Sequence, residues 1–358
     1  MKILVVQDRL RSGGTERQSV LLANAFAAAG HATTLLTFRP GGALARTVSP
    51  AVSRKILQPF DTTLDWFAPG LRAFVRRTAP DVVLCMGRMA NCHAGFLPAR
   101  HVVATLRTGK PLPWLFRRSL RRVRAIVANS HDARVVLIRN HVVPPEKIAV
   151  IHNSLVFPAI SADSAATSRA ALREQHHAGP STLVLLCVAM FRPEKNQREL
   201  IEIAAGLPAH LDWQLWLAGD GPTRVECEHL VASRHLGERV KFPGFVNDPS
   251  TLYAAADTAV HASVSESLSN FFIEAQTHGL PCVAYDAQGI AETFVPDHTG
   301  WVIARDDRPA FRAALERLAA SPAAERATRS AEARAFARTT FDPARQVAAY
   351  LDLFARLQ

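Results

Sequence analysis

The chain has 358 residues, more than one core usually organises, which predicts two domains of roughly 150 to 200 residues each. Hydrophobic residues make up 48%, yet no apolar run reaches the about 18 residues of a membrane span and "MKILVV" is too short for a signal peptide, so a cytoplasmic protein is expected. The net charge of +11 is uneven: between Asp81 and Asp132 no acid interrupts a crowd of arginines, which points to an anionic partner such as a membrane surface, a nucleic acid or a phosphorylated substrate.

The first strand-like run is "KILVVQD". After it, in "RLRSGGTERQ", Gly13 and Gly14 let the backbone approach a ligand just before a helix predicted to start near Thr15. Such a loop suits a phosphate, a sugar or a plain turn, and the lack of GxGxxG argues against a nicotinamide-binding domain. The runs "HATTLLTF", "DVVLCMG", "HVVATLR", "AIVANS" and "IAVIHN" follow, most of them separated by helical patterns. Among these patterns, "LPWLFRRSLRRVR" reads as one helix. Arg117, Arg118, Arg121 and Arg122 fall on one face, Leu112, Leu115, Phe116, Leu120 and Val123 form most of the other, and Trp114 lies at the border. That face is either merely solvated or docks on anionic lipid; no reading motif accompanies it, so nucleic acid is not expected. His131 in "NSHDAR" reads as a helix-start or surface group.

Residues from Val156 to Pro180, rich in Ala, Ser and Pro, suit a linker and a first surface helix. The expected division is therefore a first domain over 1–156, linker and start of the second over 157–180, a second domain over 181–340, and a closing helix over 341–358 that crosses back to the first. The second half repeats the strand plan with "STLVLLCVAM", "WQLWLAGDG", "VKFPGF", "TAVHASV", "PCVAYD" and "GWVIAR". Strands alternating with helices predict an α/β protein of two doubly wound, Rossmann-like domains, facing a shared cleft at the carboxyl ends of their strands. Cys85, Cys92, Cys187, Cys227 and Cys282 lack CxxC spacing and lie mostly in apolar runs, as reduced core thiols would.

Loops at strand exits carry the candidate chemistry. "VAMFRPEKNQRE" brings Arg192 and Lys195 to such an exit, where cations meet a diphosphate well. Asp220 in "GDGP" is either a nucleotide-pocket residue or a turn former. In "VSESLSNFFIEAQTHGLP", Glu266 stands in a loop and Glu274 sits just over one turn into the following helix, which Ser269 or Asn270 would cap. Solvated surface glutamates have this spacing too. In a cleft, however, one carboxylate would accept from sugar hydroxyls, the other from a ribose diol, and the amides of Ser269, Asn270 and Phe271 would face a diphosphate between them. Gly289 in "AQGIAETFVPDHTGWVI" allows a further close backbone approach.

Taken in order, "SGGTERQSVLLANAFAAAGHATTLLT", "IHNS", "RPEKNQ", "LAGDGP", "VKFPGFVND", the paired glutamates and "GIAETFVPDHTGWVI" resemble the retaining family-4 glycosyltransferases of the GT-B fold, of the bacterial envelope-glycan type. The resemblance covers nearly the whole chain. It implies an acceptor-side first domain and a second domain that binds a nucleotide sugar, a UDP-sugar before a GDP-sugar. It also implies that Glu266 contacts the donor sugar, Glu274 the ribose, Arg192 and Lys195 the diphosphate, and Gly14 the reacting end of the donor. The chain departs from the family at Ala189 and Met190, where a Gly-Arg pair usually precedes the lysine, and at Arg107 and Thr108, where many members have a histidine.

Cleaving a sugar–phosphate bond builds negative charge on the leaving diphosphate, which Lys195, Arg192 and the helix start would stabilise. No Asp-x-Asp pair stands in a convincing loop, so metal-independent transfer without a cofactor is expected, to a glycan or lipid-linked acceptor, in the cytoplasm or on the inner face of its membrane. The alternatives are a catalytically weak GT-B binding protein and a GT-B nucleotide-sugar epimerase.

Overall fold

The structure is a computed structural model that describes residues 1–11, 13–60, 66–155, 162–246 and 248–358, the side chains of 162–165 excepted. The chain forms two units, Met1–Ser154 with Pro343–Gln358, and Leu155–Asp342. Residues 156–161 of the predicted linker lie outside the described residues.

In the first unit the chain alternates as the sequence pattern requires. It runs through β1 (Lys2–Gln7), α1 (Gly14–Ala28), β2 (Ala32–Thr37), β3 (Ser53–Ile56), α2 (Leu71–Thr78) and β4 (Val82–Cys85). There follow α3 (Arg88–Ala94), β5 (His101–Leu106), α4 (Trp114–Leu120), β6 (Ala125–Ala128), α5 (His131–His141) and β7 (Ile148–Val150). The sheet is parallel, in the order β3-β2-β1-β4-β5-β6-β7, with Ile3 opposite Val82 and Val6 opposite Cys85. Successive side chains point to opposite faces. Ile3, Val5, Leu84 and Val127 enter one core, and Leu4, Val6, Val83 and Ile126 the other. Both faces are covered, which explains unbroken apolar strands in place of alternating ones.

The structure departs from the sequence pattern in two places. The strand β3, Ser53–Ile56, has no apolar signature: it is an exposed edge strand, whose polar and charged residues mark an edge and not a core run. The segment from Leu112 to Arg124 is not one helix. The helix α4 ends at Leu120 with Arg121 as its C-cap, and the chain then turns so that Leu120 and Val123 both reach the core before β6 begins. Arg117, Arg118, Arg121 and Arg122 are all exposed, but the Arg122 guanidinium lies over the Phe96 ring, 4.6 Å from its centroid, so the four do not share a helical face.

The second unit contains α6 (Ala162–Gln175), β8 (Leu183–Val188), α7 (Gln197–Ala205), β9 (Trp213–Ala218), α8 (Arg224–Ser233), β10 (Val240–Gly244) and α9 (Ser250–Ala255). It continues with β11 (Thr258–His261), α10 (Asn270–Thr277), β12 (Cys282–Tyr285), β13 (Gly300–Ile303), α11 (Arg308–Ala320) and α12 (Ala323–Thr340). Its sheet is also parallel, in the order β10-β9-β8-β11-β12-β13. Leu185, Cys187, Leu215 and Val260 pack on one face, and Val184, Leu186, Trp216 and Ala259 on the other. All five cysteines are free and buried, as their apolar surroundings in the sequence predict.

The last helix, α13 (Pro343–Leu357), belongs to the first unit. Tyr350 and Phe354 pack on Phe26 of α1, with ring centroids 6.2 and 5.6 Å away. Polar side chains fix the seat: Gln346 donates to Gln18 Oε1 at 3.0 Å and to the His152 carbonyl at 2.7 Å, and Ser154 Oγ donates to Gln346 Oε1 at 2.6 Å. All three side chains are buried and hydrogen-bonded to one another, so their hydrogen bonds offset the cost of desolvating them. Among the described residues no helix is long and apolar enough to cross a membrane.

Candidate functional site

In a doubly wound sheet the strand order reverses at one point, and ligands bind beyond the carboxyl ends of the strands there. In the second unit that point lies between β8 and β11, which pair through Thr258 with Leu185 and Ala259 with Leu186. The loop after β8 carries Lys195 and the loop after β11 carries Glu266. The two loops are tied together, because Val264 N–H and Ser263 Oγ both donate to the Glu194 carbonyl, at 3.0 and 2.8 Å. Lys195 Nζ consequently donates to Glu266 Oε1. Two residues that lie far apart in sequence form one ion pair.

The pair is sheltered: the Glu266 side chain is 9% exposed and that of Lys195 25%. Burial pushes the Glu266 carboxyl up, but the Lys195 charge, the neighbouring His261, and hydrogen bonds from Lys195 and Ser263 outweigh it and hold the pKa below the usual range. His261, the last residue of β11, places Nε2 3.6 Å from the same carboxylate oxygen. Its Nδ1 faces the Ser263 N–H at 3.3 Å, so in the neutral ring the proton sits on Nε2 and points at Glu266. Burial lowers the His261 pKa to about 4, with the Glu266 charge opposing and the Lys195 charge adding, so the ring is neutral at pH 7. His261 carries no signal in the sequence because it lies inside the apolar run "TAVHASV".

The other strand-exit residues are arranged around this pair in different ways. Arg192 is exposed, and its Nη2 donates to Met190 Sδ at 3.2 Å, so the displaced arginine and the residue at the family's arginine position lie side by side. The "GDGP" glycines answer a packing demand. A Cβ on Gly219 would stand 2.0 Å from the Ala189 carbonyl oxygen and one on Gly221 2.3 Å from that of Phe191, both glycines having positive φ. Asp220 accepts from the Gly221 N–H at 2.8 Å, a turn-forming bond. Ser269 is the N-cap of α10 and makes no side-chain capping bond. Asn270 opens the helix, and Phe271 stacks on Tyr253 with centroids 6.0 Å apart. Glu274 accepts from the Tyr253 hydroxyl at 2.7 Å. Gly289 has φ +73, a conformation that favours glycine, and the adjacent Gln288 donates to Ser267 Oγ at 3.3 Å, joining that loop to the Glu266 loop.

Gly13 and Gly14, with Trp114 and its arginines, belong to the first unit. Gly13 is the N-cap of α1 and Gly14 its first residue. A Cβ at Gly13 would meet Glu16 Oε2 at 2.4 Å, so the glycine makes room for a carboxylate folded over the helix start. The order of the first sheet reverses between β1 and β4, and a cavity of about 160 Å³ opens there, lined by Gln7, Asp8, Thr15, Glu16, Arg88 and Asn91 among others. Asp8 accepts from the amides of Met89 and Ala90 at 3.0 and 2.8 Å, fixing the start of α3. Arg107, which stands in place of the family's histidine, also lines this cavity. It donates to Asn153 and, at 2.7 Å, to the Tyr350 hydroxyl, so it braces the exit of β5 against the turn after β7 and against α13.

Two family models divide the chain between them: Glycosyltransferase Family 4 matches residues 12–155, and Glycosyl transferases group 1 matches residues 168–335. The chain belongs to the family-4 glycosyltransferases of the GT-B fold. Among family relatives, alpha-D-kanosaminyltransferase of Streptomyces kanamyceticus is 30% identical over 212 residues, 58% of this chain and 54% of the relative. The lipopolysaccharide core biosynthesis glycosyltransferase LpsD of Rhizobium meliloti is 34% identical over 142 residues, 40% of this chain and 41% of the relative. The matched parts thus span about half or less of these relatives' length. The GT-B fold itself extends over the whole chain. Anabaena HepE, solved in complex with UDP and glucose, superposes with TM-score 0.82 at 22% identity over 99% of both chains. WaaG, a glycosyltransferase involved in lipopolysaccharide biosynthesis, does so with TM-score 0.77 at 18% identity, over 98% of this chain and 99% of its own.

Proposed function

We propose that the protein transfers a sugar from a nucleoside-diphosphate donor, a UDP-sugar before a GDP-sugar, to a glycan or lipid-linked acceptor, with retention at the anomeric carbon and without a metal or other cofactor. The observation that carries this reading is the sheltered Lys195–Glu266 ion pair at the point where the second sheet reverses its strand order. A diphosphate competes with Glu266 for Lys195. Once the lysine turns to the phosphates, the carboxylate is left to accept from sugar hydroxyls, so each member of the pair has a substrate partner. As the sugar–phosphate bond breaks, negative charge grows on the leaving group, and a fixed cation there is worth about 10² in rate. In this proposal Lys195, the amides of Ser269, Asn270 and Phe271, and Arg192 at the rim supply positive charge. Glu274 holds the ribose and Gly289 admits the donor backbone-close. The relatives named for lipopolysaccharide synthesis and the neighbour solved with UDP support the donor class and an envelope-polysaccharide role.

The exposed Met190 and the displaced Arg192 favour one second reading, a catalytically weak binder of nucleotide sugars. Following a nucleotide-sugar pool over time in excess chelator separates the possibilities. The transferase releases free nucleoside diphosphate, an epimerase converts the sugar, and a binder does neither. Strict dependence on a divalent cation would contradict metal-independent transfer.

Peripheral attachment to an anionic inner membrane surface is part of the proposal. Trp114 is 64% exposed beside exposed Arg117, Arg118 and Arg121, and Arg122 follows them. Basic residues near such a surface contribute about 1 kcal/mol each, screened by salt. Replacing the four arginines by glutamate should abolish co-sedimentation with anionic vesicles and leave UDP binding intact. A wild-type protein that ignores such vesicles at low salt would instead point to a soluble acceptor.

A further inference from the structure

The second unit also has a cavity away from the Lys195–Glu266 pair. This cavity, of about 770 Å³, lies at the other edge of the sheet, where Leu183 opens β8, Thr258 opens β11 and Pro281 precedes β12. Because every strand runs the same way, the length of the strands separates it from the loops that carry Lys195 and Glu266, about 15–20 Å. Its volume falls within the about 300–1,000 Å³ of small-molecule sites.

Its charge is one-sided. Arg326, Ser330, Arg334 and Arg338 recur at every fourth residue of α12 and all line the cavity. Arg326 donates to the Ser321 carbonyl and Arg334 to the His278 carbonyl at 2.8 Å, but among the described residues no carboxylate pairs with Arg326, Arg334 or Arg338. The one carboxylate in the lining, Asp257, is already neutralised by Arg169 at 2.6 Å and Arg173 at 3.1 Å. Arg329, by contrast, anchors α12, since it is buried, bonded to Glu325 and the His298 carbonyl, and packed on the Trp301 ring. Like charges four residues apart destabilise a helix unless something answers them.

The approach of α12 is built into the backbone. Gly279 has φ +78, and a Cβ there would lie 2.2 Å from Ser330 Oγ and 2.4 Å from Arg334 Nη1. The floor is organic in character: the half-buried His278 ring stacks on the buried Tyr253 ring behind it, with centroids 5.0 Å apart and an interplanar angle of 21°, next to Leu280 and Pro281. Guanidinium groups suit phosphate oxygens, which they engage through paired N–H donors, and an aromatic and apolar floor suits a base or sugar body. We infer that this cavity binds a small organic phosphate, of sugar-phosphate or mononucleotide size, with its phosphate on Arg334 and Arg338, one helical turn apart, and its organic body over His278.

The test is calorimetric titration of the full chain at low ionic strength with AMP, glucose 6-phosphate, fructose 1,6-bisphosphate and inorganic pyrophosphate. At least one organic phosphate should bind more tightly than pyrophosphate. The Arg334→Gln/Arg338→Gln variant should weaken that binding by about tenfold or more, through lost charged hydrogen bonds, and Lys195→Ala should not. The two arginines are exposed, so the variant should keep the wild-type melting temperature and UDP affinity. The inference is overturned if no organic phosphate binds, if pyrophosphate binds as tightly as the best of them, if the double variant binds like the wild type, or if the loss follows Lys195→Ala instead.

Discussion

Replacing Lys195 by methionine removes the cation from a carboxylate that is 9% exposed and keeps most of the side-chain volume. Breaking a buried pair by deleting one partner costs about 3–5 kcal/mol, because the remaining charge is left desolvated. Lys195 is 25% exposed, so water offsets part of the penalty and the lower end, about 3 kcal/mol, is expected at pH 7. At about 2–4 °C per kcal/mol for a unit of this size, the apparent melting temperature falls by several degrees. The pH dependence identifies the cause. In the wild type the Glu266 pKa is depressed, so its stabilisation is present above the ordinary value of 4.5 and is lost as pH falls through the folded-state pKa. In the variant burial acts with little opposition, the pKa rises, and the carboxyl takes up a proton more readily than in the unfolded chain. The difference between the two proteins is therefore largest near neutral pH and shrinks in acid. Urea unfolding across that range measures it. A second variant, Lys195→Met with Glu266→Gln, should recover most of the lost stability, since a neutral amide needs no counter-charge. A single variant as stable as the wild type at pH 7, or a deficit that does not change with pH, would refute the reasoning.

Other consequences follow from neighbouring groups. His261 is kept neutral by burial, its pKa lowered from 6.5 to about 4, so the unfolded chain binds a proton before the folded one does as pH falls between those values. That costs roughly 3 kcal/mol at about 1.4 kcal/mol per pH unit; in His261→Gln the acid limb of the unfolding free energy should flatten over the same interval. Glu274→Ala should weaken donor binding by a charged hydrogen bond, about 1.5–3 kcal/mol, whereas Tyr253→Phe, which removes only the hydroxyl that holds Glu274, should cost less. Calorimetry with UDP reads both, and equal loss in the two variants would mean that Glu274 acts through Tyr253 alone.

Much of this organisation is legible in the sequence, for identifiable reasons. Most strands among the described residues are apolar runs because both faces of each sheet are covered, and the glycines of "GDGP" are visible because close backbone approach tolerates no Cβ. The edge strand Ser53–Ile56 carries no such signal, since its side chains meet solvent. The end of α4 escapes a periodicity argument because Leu120 and Val123 fit a helical stripe equally well when the chain turns between them. Lys195 and Glu266 can be named separately from their loops, but their pairing depends on β8 and β11 being neighbours, which no local pattern encodes. Nor can spacing indicate the bracing role of Arg107, whose partners Asn153 and Tyr350 come from distant parts of the chain.

If the loops after β8 and β11 form the nucleotide-sugar site, UDP affinity must distinguish the wild type from Lys195→Ala but not from a control variant, Lys55→Ala, altered on the exposed edge strand. Loss of one charged contact to the diphosphate predicts that Lys195→Ala binds UDP about tenfold to a hundredfold more weakly while Lys55→Ala binds as the wild type does. Equal affinity in all three proteins would contradict the account.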